Sequence, residues 1–193
     1  MMSFLLCVLL FLAPVKMEHG QFNIVKDGRK IGTEEFTIGM RGTKYVIDGK
    51  ATIGDATLSS KMELDEKLVP LSYEVANQDG KLEVAVASPV SELKTLVGGQ
   101  SSSTDFRFPE GGIILDNNLF HHYLILVYRA QMGQKDFSVF VPQDMRVGTA
   151  AVRSTGPRNY DIEVGDIKMQ ATTDAAGSVI RLAVPSANVV VER

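Results

Sequence analysis

The chain holds three histidines, and two of them, His121 and His122, are adjacent and lie a few residues after Asp116. Imidazoles beside a carboxylate can serve acid–base chemistry or metal binding. Neighbouring helix residues point about 100° apart, so the pair cannot converge on one metal. The i, i+4 spacing of helical zinc sites is also absent. Asp116, with Asn117 and Asn118, stands where the N-cap of a helix belongs, its oxygen free to accept the first unpaired amides. His122 shares a helix face with Asn118, Ile125 and Arg129. Asn118, His122 and Arg129 are therefore expected as the helix's polar edge, turned to solvent or to an anionic headgroup, unless His122 is buried against backbone.

Other candidates have simpler explanations. Glu34 with Glu35, Glu63 with Asp65, and Asp161 with Glu163 resemble carboxylate pairs. Alternation puts Glu63 and Asp65 on a wet strand face. Ser101, Ser102 and Ser103 follow Gly98 and Gly99 and read as a flexible turn, without the strand–turn–helix context of a nucleophile elbow. Those glycines lack the Lys and Thr of a phosphate loop. No catalytic residue, metal ligand or cofactor is assigned.

The elements that position these residues follow from patterning. The 193 residues, 45% hydrophobic and 22% charged, suit one globular domain. A net charge of −3 with no basic stripe argues against nucleic acid, and there is no Trp to stack on bases. Residues 1–15 are apolar and uncharged, like the centre of a secretory signal and too short to span a membrane. We expect a leader over 1–19, one domain over 20–193, export, a periplasmic location and no integral membrane span. Cys7, the sole cysteine, lies in the leader-like run and is not preceded by the small residues of a lipoprotein signal.

From Gln21 onward apolar residues alternate with polar ones between Gly-containing turns. The clearest hairpin is predicted at Asp79-Gly80, where Asp-Gly would supply positive φ angles. About ten mostly antiparallel strands are expected. Residues 117–130 form the single long helix-like run, apolar almost all round, which must be enclosed. Ten strands at ~4.8 Å would span nearly 50 Å against a helix roughly 20 Å long, so the sheet is expected to curve around it. The fold class is thus mainly β: a large curved antiparallel sheet, an open or half barrel, wrapped around one apolar helix. Space left uncovered becomes an apolar cavity, with Phe36, Met62, Tyr73, Phe106, Phe120, Leu124 and Phe137 as candidate lining residues.

The Asp27-Gly28 hairpin with Ile31-Gly32-Thr33, the Leu68-Val69-Pro70-Leu71-Ser72-Tyr73 strand start and the central Asp116-Asn117-Asn118 helix start resemble a family of uncharacterised bacterial exported β-rich proteins. Their architecture is similar to the half-barrel lipoprotein carriers of the LolA and LolB type. That resemblance implies a curved sheet clasping helices over an apolar cavity. The expected function is an exported, non-enzymatic binding protein holding an apolar or amphipathic, lipid-like ligand. The alternative is a structural or interaction module of the cell envelope with a filled core and an envelope protein as partner. A hydrolase or isomerase using His121 and His122 ranks last.

Overall fold

The computed structural model describes residues 17–193, so the leader-like run and Cys7 lie outside the described residues. The first half is an antiparallel meander of β1 (Glu18–Lys26), β2 (Arg29–Arg41), β3 (Lys44–Ile53) and β4 (Ala56–Leu64), continued by β5 (Pro70–Ala76), β6 (Gly80–Ala85), β7 (Ser91–Val97) and β8 (Gln100–Phe106). The short β9 (Ile113–Ile114) precedes α1 (His122–Gln131). A second meander follows: β10 (Asp136–Val141), β11 (Arg146–Gly156), β12 (Asn159–Val164), β13 (Ile167–Thr173), β14 (Val179–Val184) and β15 (Val189–Glu192).

All fifteen strands belong to one sheet, in the order 8-7-6-5-4-3-2-1-15-14-13-12-11-10-9. Pairing is antiparallel except between β9 and β10. The last strand returns to β1, which joins the two meanders at the centre of the sheet. The molecule is mainly β with one short helix, as expected, but it has fifteen strands where about ten were expected. The ladder is open, with β8 and β9 as its edges, and neither closes nor curls strongly, so it is not a half barrel.

Three strands escaped the sequence pattern. β8 was read as a flexible turn because Ser101, Ser102 and Ser103 carry no apolar signal; as an edge strand it needs none, since it is exposed along almost its whole length. The preceding turn is Gly98-Gly99, with φ of 56° and 81°. β3 and β7 each alternate a few buried residues with charged ones. The Asp27-Gly28 turn has positive φ at both residues, 51° and 74°, as a tight hairpin requires. Asp79-Gly80 does not. There Asn77 Oδ1 accepts the Asp79 and Gly80 amides, and Gly80 opens β6 where a Cβ would lie 2.4 Å from Leu96 O.

One face of the sheet supplies the core. Phe22, Phe36, Ile47, Met62, Tyr73 and Val84 come from the first meander and Val139, Val152, Ile162, Met169, Leu182 and Val191 from the second. They form one buried cluster with Leu124, Ile125, Leu126 and Val127 of α1. The opposite face is charged and laced by exposed pairs such as Lys81 with Glu74 and Glu83.

The helix is ten residues long and starts at His122, five residues later than predicted. A peptide that short is not helical alone, so packing must hold it. Its residues from His122 to Arg129 are all buried. It ends at Gln131, and just beyond it the φ of 101° at Gly133 lets its amide and that of Gln134 return to Ala130 O and Arg129 O.

Candidate functional site

The polar groups of the core gather at the start of α1, in two clusters. The first is built on β2. Glu34 lies two residues before Phe36 and four before Ile38, so alternation turns its side chain into the core, where it is fully buried. Its carboxylate accepts the Phe120 amide at 2.9 Å, the His121 amide at 2.6 Å and the His121 Nδ1 proton at 2.8 Å. Those amides belong to the N-cap residue of α1 and the residue before it, and the helix offers no acceptors for them. The cap of α1 is therefore a carboxylate from a strand 87 residues away, and not Asp116.

The His121 ring lies over Gly49 of β3, stacked on Phe36 with centroids 6.2 Å apart. A Cβ at Gly49 would come within 2.1 Å of His121 Cε1, so only glycine leaves room for the ring. Across the ring, Nε2 lies 3.2 Å from Ser60 Oγ on β4. With the Nδ1 proton given to Glu34, Nε2 accepts from the serine. The order carboxylate, imidazole, hydroxyl is that of a nucleophile relay. Here it is enclosed: His121 and Glu34 are fully buried and Ser60 is 7% exposed.

The second cluster centres on Asp116, also fully buried. Oδ1 accepts the Asn118 amide at 2.8 Å, forming a local turn in place of the predicted helix cap. Oδ2 accepts the Tyr73 hydroxyl at 2.6 Å and the Gln143 side-chain amide. All these donors are neutral, and no ion pair among the described residues includes Asp116. Burial, then the charge of Asp116, pushes the Tyr73 phenol far up, and the same two causes push Tyr123 up to about 12. The backbone amide of Asp116 donates to His122 Nδ1 at 3.1 Å. The neutral His122 proton therefore sits on Nε2, a buried nitrogen with no hydrogen-bond partner. Burial, reinforced by neighbouring His121, holds the His122 pKa well below 6.5.

This second cluster borders open space. A cavity of about 290 Å³, open to solvent on one side, lies between residues of β4 to β7 and the 116–118 turn. Leu58, Val75, Leu82 and Val97 form its apolar wall, with Asp116, Asn118 and Gln143 at the other side. Asp79 and the stem of Lys81 also border it; the Lys81 amine is turned to Glu74 and Glu83 on the outer face.

The seven candidate lining residues sit elsewhere. Phe36, Met62, Tyr73, Leu124 and Phe137 belong to the buried core, with Phe106 and Phe120 half-buried against it. Of these only Tyr73 reaches the cavity's polar side, through its hydroxyl on Asp116. The polar edge of the helix is not a solvated edge. Asn118 is exposed, but it precedes the helix, and His122 and Arg129 are buried. Arg129 donates to Gly111 O and Gln134 Oε1 and lies 5.6 Å over the Phe137 ring. From sequence, Glu34 stood out only as a carboxylate pair with Glu35, and Ser60 and Gln143 were given no role. For the first two the signal was available, because each shares a strand face with apolar residues. Gln143, in the short 3-10 turn after β10, gave none.

Among the described residues no cluster of three or more His, Cys, Asp or Glu side chains has a geometry suited to a metal ion. None of their helices is long and apolar enough to cross a membrane. No protein-family model, curated protein or solved structure matches the chain, so the chemistry of the site is read from its own geometry.

Proposed function

We propose that the protein is an exported, non-enzymatic binding protein whose cavity beside Asp116 takes an amphipathic, lipid-like ligand. One observation carries this reading: an apolar wall of Leu58, Val75, Leu82 and Val97 faces a polar side made by Asp116 and Gln143. Binding sites for small molecules combine these two features, a mostly apolar hollow with a few placed polar groups. At about 290 Å³ the space suits a short chain or part of a longer one. Burying ~200 Å² of apolar ligand surface contributes about 5 kcal/mol before the cost of immobilising the ligand. In this reading the inner face of the sheet acts as a shallow cup with α1 as its filling, a flatter relative of the carrier arrangement.

The test is native mass spectrometry and solvent extraction of the purified protein, followed by titration with an environment-sensitive fluorescent fatty probe. A bound amphiphile, or saturable probe binding abolished by Leu82→Glu, supports the proposal. Leu82 is half-buried, so the variant should fold. An empty protein that binds no probe sinks the proposal.

The order Glu34, His121, Ser60 favours a second reading, acyl transfer with Ser60 as nucleophile and His121 as base. Burial of the whole relay sets it behind the first. Covalent labelling of Ser60 by a fluorophosphonate would promote it; an unlabelled Ser60 in folded protein would remove it.

A further inference from the structure

Asp116 is a carboxylate at the wall of a cavity, held only by neutral donors. A fully buried carboxylate is held best by a cation, and none is supplied here by the described residues. Lys81, which borders the cavity, and Arg129, on α1, are engaged elsewhere. The Lys81 amine is tied to Glu74 and Glu83, and the Arg129 guanidinium to backbone carbonyls and Gln134. The His122 imidazole is spent on the Asp116 backbone amide. A second carboxylate, Asp79, stands on the same cavity. Gln143 is the one exposed residue that donates to Asp116 through its side chain, so it can swing aside without opening the core.

We propose that the cavity selects an amphiphile with a primary ammonium head, which displaces the Gln143 amide and pairs with Asp116 Oδ2. The apolar tail lies along Leu58, Val75, Leu82 and Val97. This rests on the binding reading above and adds the chemical class of the ligand. A charge-assisted N–H to carboxylate bond is roughly twice as strong as a neutral one. An alcohol of equal length gains the tail contacts without the charge pairing. A fatty carboxylate meets Asp116 with the wrong sign.

The experiment is calorimetric titration of the whole chain with octylammonium chloride, 1-octanol and sodium octanoate at one pH and ionic strength. Octylammonium is expected to bind at least tenfold tighter than octanol, with octanoate weakest. Asp116→Asn should bring octylammonium to within about threefold of octanol. Gln143→Ala, at an exposed position, keeps the test open should that variant misfold: it removes the competing donor and should tighten octylammonium severalfold. If octanol binds as tightly as octylammonium to the native protein, the ammonium proposal fails and the cavity reading stands. Failure of all three probes to bind overturns the two together.

Discussion

Two carboxylates are buried at the start of the same helix, and they are buried differently. Glu34 meets an imidazole, two amides and, through His121, the hydroxyl of Ser60. Every donor it touches comes from the turn it caps or from the ring wedged against Gly49. Asp116 meets a phenol, an exposed amide side chain and one local amide, with a cavity on its far side. The first arrangement locks α1 to β2, β3 and β4. The second leaves a charge at a border between core and open space. Burial alone therefore does not separate structure from function in this molecule; what lies beyond the buried group does.

The comparison breaks most easily at Glu34. Glu34→Ala strands the Phe120 and His121 amides and the His121 ring proton inside the core, and should destabilise the fold by about 4 kcal/mol. Urea denaturation measures it; a loss under 1 kcal/mol would mean that the helix start is held by something else. Gly49→Ala should cost about 3 kcal/mol in the same assay, because the added methyl collides with the His121 ring and levers it off Glu34 and Ser60. A neutral outcome would show that the ring is not seated there.

On the Asp116 side the effects are smaller. Tyr73→Phe removes one of the donors to Oδ2 and should cost about 1–2 kcal/mol. It should also weaken octanol binding far less than Leu82→Glu does, since the tail wall is untouched. The smallest effect is a pH slope. His122 is neutral in the folded protein well below pH 6.5, whereas the unfolded chain takes up a proton there. The unfolded state then binds more protons, so this group's contribution is full above pH 6.5 and falls on acidification by up to about 1.4 kcal/mol per pH unit. His122→Asn keeps an acceptor for the Asp116 amide and should be less acid-sensitive than the native protein. Equal slopes between pH 7 and 5.5 would contradict neutral burial.

Much of this was present in local pattern. Alternation from Phe22 to Val191 marked strands with one buried face, and Asp27-Gly28 marked a tight turn by its chemistry. An apolar run around Leu124 required an enclosed helix. Glu34 was legible too, since it shares a strand face with Phe36 and Ile38; its neighbour Glu35 drew attention to a carboxylate pair instead. The edge strand β8 was not legible, because an exposed serine-rich strand carries no hydrophobic period. Nor was the extent of the sheet, which depends on β15 returning to β1.

The sequence by itself determined which faces of the strands and which short helix had to be buried, because the cost of wetting apolar surface is local and additive. Only the tertiary structure decided where the helix begins and what its polar residues do. Its cap comes from Glu34, 87 residues distant, and its first histidine fits only where Gly49 leaves a gap. Asp116 became the edge of a cavity because Tyr73, Gln143 and the wall of Leu58, Val75, Leu82 and Val97 converge on it from separate elements. Hydrogen bonds and steric fit act over a few ångströms in space, so contacts between residues far apart in the chain leave no period in it.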